Sequence, residues 1–163
     1  ISYNSGKIIF HLSNGTNDTV LVNTSGISNC VQIGDYHAGG IVFYVDSTCQ
    51  HGLVVTTHDV INYGFNTEQS DAINFCNNLK SNGYMDWYLP SISELELIYT
   101  NLGRSAFGIE GWANNSGNLV SDYWSSTPAP LFVSAGYAVD MWTGLTKVKG
   151  TNSDLRVRAI RNF

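Results

Sequence analysis

The chain has 163 residues, a net charge of -5, and only 13% charged residues against 43% hydrophobic. That length suits one domain with a true core, and the charged share is about half that of an ordinary soluble domain. No stretch approaches the ~20 apolar residues of a membrane-spanning helix, and the longest run, residues 41–45, is only strand-sized. The first residues carry neither a basic nor an apolar leader region, so the chain reads as a mature or excised segment.

Taken in order, residues 1–32 read as an N-terminal extension or neck. It has two β-like patches, at 7–12 and 19–22, and an Asn14-Gly15 turn. A binding domain is expected over 33–163. It opens with Gly39-Gly40 and two β-branched runs, 41–45 and 52–56, which are apolar on both faces and therefore central strands.

Ala72, Ile73, Cys76 and Leu79 recur at helical spacing, with Thr67 or Ser70 as the cap and Asn82-Gly83 as the stop. Ser91 and Glu94 form a capping box for a second helix over about 92–102, with Gly103 at its exit. Glu94 and Glu96 do not make an acid–base pair, because positions two apart on a helix do not face each other.

A Gly/Asn-rich loop over 108–118 leads to strands at 123–127, 137–142, 145–149 and 155–161, with Thr143-Gly144 as a two-residue hairpin turn. Trp87, Trp124 and Trp142 are read as core residues. Trp112, in the Gly/Asn-rich loop, has two readings, a core residue like the others or an exposed ring that stacks on a sugar.

Charge is unevenly distributed. Residues 141–163 hold Lys147, Lys149, Arg156, Arg158 and Arg161 against Asp154, a net +4, whereas residues 1–140 carry -9. Segregation of this kind points to an anionic partner, although the acidic body and the lack of any recognition motif argue against nucleic acid. In extended strands Lys147 and Lys149 share one face. Arg156 and Arg158 share another, opposite Leu155, Val157 and Ala159, so pairing of the strands would bring the cations together.

Three cysteines, Cys30, Cys49 and Cys76, lack CxxC spacing, which argues against a zinc or thioredoxin-like motif. Cys76 lies on the apolar side of a helix, where a free thiol acts as a small hydrophobe. A Cys30–Cys49 disulfide would suit an oxidising compartment, but sequence leaves the pairing open.

Five segments together carry a resemblance: Gly39-Gly40-Ile41-Val42-Phe43-Tyr44-Val45-Asp46, Gln50-His51-Gly52-Leu53-Val54, Asp86-Trp87-Tyr88-Leu89-Pro90-Ser91 with Glu94-Leu95, Tyr123-Trp124-Ser125-Ser126-Thr127, and Val157-Arg158-Ala159-Ile160-Arg161. In this order and spacing, residues 33–163 resemble the C-terminal domain of the Legionella collagen-like adhesin (Lcl) and its related bacterial C-type-lectin-like domain family. The resemblance implies an α+β, C-type-lectin-like fold of two helices against a twisted antiparallel sheet. It also implies display on the bacterial surface, a homotrimer at the end of a collagen-like stalk, and binding of sulfated glycosaminoglycans such as heparin.

Clustered cations suit sulfate because guanidinium binds oxyanions bidentately and lysine acts as a point charge. The expected glycan-binding residues are therefore Lys147, Lys149, Arg156, Arg158 and Arg161, with Trp112 as a stacking residue. Arg158 and Arg161 belong to the fold-typical ending and have a competing structural reading, as partners of a carboxylate such as Asp140 or Asp86. No cofactor and no metal are expected: the Glu-Pro-Asn and Gln-Pro-Asp loops of calcium-dependent lectins are absent, and His11, His37, His51 and His58 lack zinc spacing. Nor is an enzyme expected, since there is no GxSxG, P-loop or GxGxxG. The rival reading is a protein receptor-binding module that uses a Tyr/Asn/Ser-rich surface.

Overall fold

The computed structural model of the protein describes residues 2–4, 7–11, 17–20, 30–60, 68–103, 121–131 and 134–163. Contacts divide the chain into two compact units, Ile1–Cys30 and Val31–Phe163. In the first, strands β1 (Ser2–Asn4), β2 (Lys7–His11) and β3 (Asn17–Val20) form an antiparallel sheet in the order β1-β2-β3. The Asn14-Gly15 turn and the Trp112 loop expected from sequence lie outside the described residues.

The second unit is α+β, consistent with a C-type-lectin-like fold. Strands β4 (Tyr36–His37), β5 (Gly40–Val45), β6 (Gly52–Val55) and β10 (Ile160–Asn162) form one antiparallel sheet in the order β10-β6-β5-β4. Strands β7 (Asp122–Pro128), β8 (Ala135–Asp140) and β9 (Leu145–Gly150) form another, in chain order, with β9 at its edge.

Alternation along the strands feeds two hydrophobic cores. Val42, Val54, Trp124 and Ala138 enter one, with Ala72 and Cys76 of helix α1 (Gln69–Asn77). Their neighbours Phe43, Val55, Tyr123 and Val139 enter the other, with Leu95, Ile98 and Leu102 of helix α2 (Ile92–Leu102). Strands apolar on both faces are thus covered on both faces, as their sequence requires. Register slips between Val42 and Tyr44, where Phe43 is the extra residue of a bulge, and the Phe43 carbonyl accepts from Asn101 Nδ2 at 2.9 Å.

Helix α2 starts on the expected capping box. Glu94 N–H donates to Ser91 Oγ, and Ser91 N–H donates to Glu94 Oε2 at 2.7 Å. The same Glu94 carboxylate accepts from the Tyr88 hydroxyl at 2.9 Å. Helix α1 differs from expectation at both ends. Its N-cap is Glu68, without a side-chain cap, and Ser70 lies inside the helix. It stops at Asn78, whose own Nδ2 donates to Asn74 O, so Asn82-Gly83 is free to form a separate tight turn with φ of 53° and 84° under the Ser81–Tyr84 bridge.

The β8–β9 connection is also longer than the expected Thr143-Gly144 turn. The Asp140 carbonyl accepts from Thr143 and Gly144 N–H, and its carboxylate accepts from Trp142 N–H, which ends β8 at Asp140. Trp142 therefore stands 42% exposed rather than in the core, whereas Trp87 and Trp124 are buried as expected. Cys30 and Cys49 are disulfide-bonded, which in a chain of three cysteines joins them to each other; Cys76 is free and buried.

Candidate functional site

Five cations in the last part of the chain were the expected site, and the fold distributes them over three carboxylate centres. At the first, Asp122 of β7 lies directly across from Asp140 of β8. Two carboxylates facing each other across strands repel unless a cation intervenes. Lys147, on neighbouring β9, supplies one: its Nζ lies 2.8 Å from Asp122 and 2.9 Å from Asp140. Lys149, on the same face of β9, reaches Asp122 at 2.7 Å.

Burial pushes the Asp140 carboxyl upward, but hydrogen bonds from Ser121, Lys147, the Trp142 N–H and Thr143 outweigh it and hold the group well below the usual carboxylate range. Lys147 is shifted upward, chiefly by its hydrogen bond to Asp122, against the opposing effect of burial. The two ammonium groups keep about a third of their side-chain surface in contact with solvent.

The second centre is Asp59. Arg156 and Arg158 alternate along an extended segment and so point the same way, as expected, but inward onto one carboxylate. Arg158 Nε donates to Asp59 at 2.6 Å and Arg156 Nη1 at 3.2 Å, while the Tyr123 hydroxyl adds a bond of 3.0 Å. Arg158 is closed off from solvent and also donates to the Thr56 carbonyl. Burial pushes the Tyr123 phenol far up, and the Asp59 charge adds to the shift.

The third centre holds Arg161, which meets Asp86 with both Nε and Nη2, donates to the Ala38 carbonyl, and lies 3.8 Å over the Tyr84 ring. The strands therefore do not merge the cations into one patch. Lys147 and Lys149 stay at the surface and Arg156 is largely covered. Arg158 and Arg161 are internal, so the structural alternative describes where these two lie.

Of the two carboxylates that sequence reasoning offered to Arg158 and Arg161, Asp86 takes Arg161 and Asp140 takes Lys147 instead, while Asp59, the partner of Arg158, was missed. Alternation put Arg156 and Arg158 on one face, but nothing local distinguishes Asp59 among 13 acidic residues as the carboxylate they share. Glu94 and Glu96, not expected to act as an acid–base pair, have separate partners: Glu94 caps α2, and Glu96 accepts from Thr146 Oγ1 at 2.7 Å. Among the described residues no group of three or more His, Cys, Asp or Glu side chains is arranged to hold a metal ion, and no helix is long and apolar enough to cross a membrane.

Two helices packed with antiparallel sheets, with a lysine-bearing strand at one edge, make the described residues of the second unit an α+β domain. Residues 45–161 match the family model described as the Lcl C-terminal domain, and the chain belongs to that family. It is thus an Lcl-type surface adhesin domain. No curated protein matches the chain.

Proposed function

We propose that this domain attaches a bacterial surface to sulfated glycosaminoglycans of the heparin type, as a homotrimer at the end of a collagen-like stalk, and that Lys147 and Lys149 are its contact residues. The observation that carries this reading is the placement of both lysines on one face of an edge strand, each still partly open to solvent. An ammonium has three donors. Lys147 spends two on Asp122 and Asp140 and Lys149 one on Asp122, so both retain donors for sulfate oxygens.

Because two carboxylates balance the two lysines locally, a single copy binds weakly. Three copies on one polymer supply the avidity. The function is binding, with no catalysis, cofactor, metal, nucleic acid or membrane insertion. Arg156, mostly covered, is at most an auxiliary contact, and Trp112 keeps its proposed stacking role outside the described residues.

The test is retention on immobilised heparin across a salt series, with a neutral polysaccharide as control. Steep loss with salt is expected, together with loss of retention in Lys149→Glu, which should lower stability less than Lys147→Glu because Lys149 touches one carboxylate and not two. Failure to bind at low salt, or binding indifferent to Lys149→Glu, overturns the assignment. A protein ligand is the second reading. It is favoured by Trp142, Leu145 and Val148, which stand 42%, 62% and 45% exposed along the β8–β9 hairpin.

A further inference from the structure

Two tight turns are tied to each other away from the β9 lysines. Ala38 and Gly39 join β4 to β5 with φ of 46° and 86°, and Asn82 and Gly83 join Ser81 to Tyr84 with φ of 53° and 84°. Positive φ is costly for a residue with a Cβ, and asparagine bears it better than alanine because its short polar side chain bonds locally. Ala38 is therefore a strained position. Both carbonyls of its turn are held by side chains from elsewhere: Arg161 Nη1 donates to Ala38 O at 2.9 Å, and Asn82 Nδ2 donates to Gly39 O at 2.8 Å.

Asn82 also carries chemistry of its own. The backbone nitrogen of a following glycine is unshielded by any side chain and can attack the asparagine carboxamide. Asn82 and Gly83 are both exposed, and a Cβ on Gly83 would meet nothing within 4 Å, so packing does not obstruct that attack. The backbone opposes it instead. The two φ values are those of a type I′ turn, whose first central residue has ψ of about 30°. The ring to be closed contains the Cα–C bond of Asn82, so the Gly83 nitrogen must stand on the same side of that bond as Cβ. At this ψ it stands nearly opposite. Reciprocal bonds between Ser81 and Tyr84, of 3.1 and 2.9 Å, hold the turn in that shape, and the bond to Gly39 holds the carboxamide.

We propose that Asn82 is a deamidation site that the fold keeps slow, and that its conversion unlatches the Ala38–Gly39 turn. The Gly83 nitrogen gives up its proton and bonds to Cγ of Asn82; the Cγ–Nδ2 bond breaks and ammonia leaves. Water then opens either carbonyl of the cyclic imide, leaving aspartate or isoaspartate. Water is the only co-reactant, and nothing is oxidised or reduced. Aspartate sets a carboxylate against the Gly39 carbonyl, two acceptors with no proton between them. Isoaspartate also lengthens the main chain within the turn. Either product leaves the strained turn with one of its two holds, next to the two-residue edge strand β4.

The experiment incubates the 163-residue chain at mildly alkaline pH and body temperature, native and in guanidinium chloride, and follows the amide-to-acid mass change at Asn82 by peptide mapping. Conversion should be at least about ten-fold slower in the native chain, because there it waits for local opening of the turn. Asn82→Asp supplies one product directly. It should melt a few degrees below the parent. The amides of Gly34 and Val42, which bond to Val42 O and Asp35 O beside β4, should exchange faster in it. Its deficit should shrink below about pH 4, where the protonated carboxyl again donates to Gly39 O.

Equal rates in the two states overturn the gating, and no conversion at Asn82 in the unfolded chain overturns the site. An Asn82→Asp chain that melts with the parent, or whose deficit is the same at acid and neutral pH, overturns the latch. The rate comparison needs no variant, so it decides the gating even if Asn82→Asp does not fold.

Discussion

Arg158 Nε donates to the Asp59 carboxylate at 2.6 Å, with both side chains shut away from solvent. Burying both charges has a large desolvation cost, which is offset only while the pair is intact and its remaining bonds are made. Asp59 also accepts from Arg156 and Tyr123, and Arg158 also donates to the Thr56 carbonyl. Asp59→Asn should therefore lose about 3–5 kcal/mol in urea unfolding. Arg158→Lys should not restore the parent value, because an ammonium cannot reproduce the guanidinium's planar fork. A loss under 1 kcal/mol would falsify the view that this pair organises the interior.

The two lysines of β9 should separate in mutagenesis. Lys147 bridges Asp122 and Asp140, both largely buried, whereas Lys149 touches only Asp122. Lys147→Glu places a third carboxylate beside two and should lower stability by about 2 kcal/mol or more. Lys149→Gln should stay within about 1 kcal/mol of the parent. Equal thermal shifts would contradict the bridging role and would make Lys149→Glu a poor probe of glycan binding.

Titration should limit the fold at both pH extremes. Asp140 and Asp86 are held below the ordinary carboxylate range, so their contribution is present above about pH 4 and is lost as the pH falls through their folded values. At the alkaline end, burial pushes the Tyr88 phenol up to about 12, and its contribution is lost as the pH rises from about 10 through that value. Stability measured by chemical unfolding should therefore be flat near neutrality. Asp140→Asn should be less stable at pH 7 and show a shallower acid limb. An acid limb unchanged in that variant would remove Asp140 as its source.

Gly136 on β8 leaves room for Gln69 of α1. A Cβ there would collide with the Gln69 carboxamide, which donates to the carbonyls of Ser125 and Thr127, where β7 loses register with β8. Gly136→Ala should cost about 2 kcal/mol through those two bonds. Adding Gln69→Ala should change stability by less than the sum of the single effects; strict additivity would mean the two positions do not communicate.

Cys76 should be silent to thiol reagents in the native protein. Burial pushes its thiol up to about 12, and Cys30 and Cys49 are disulfide-bonded. Reaction should appear only on unfolding, with one thiol per chain. Labelling of the native protein at the rate of an exposed cysteine would contradict the packing of α1 against β7.

Much of the core and both helices could be read locally, because their signals lie within a few residues of each other. The capping box at Ser91 and Glu94 and the paired β-branched runs of β5 and β6 are examples. The ends of α1 and the β8–β9 turn were misjudged for a common reason. Side chains at Asn78 and Asp140 consume backbone groups that a propensity argument assigns to regular structure. The site was less legible still. Five cations close together in sequence suggested one surface, but their destinations depend on Asp59, Asp86 and Asp122, which come from distant parts of the chain. Alternation shows which cations share a side; it does not show whether that side faces water.

Residues 155–163 do not run along a single neighbour. Arg156 bonds to the backbones of Asp122 and Trp124, Val157 to Val60, Ala159 to Thr56, Ile160 to Tyr88, and Phe163 to Gly52. Strand β6 thus waits for a partner more than a hundred positions later, and closing contacts of such long sequence separation slows folding. During synthesis, the earlier elements can emerge and collapse, but neither core is complete until this segment leaves the ribosome. A nascent chain halted before it would remain unfolded, and so still threadable through an export channel.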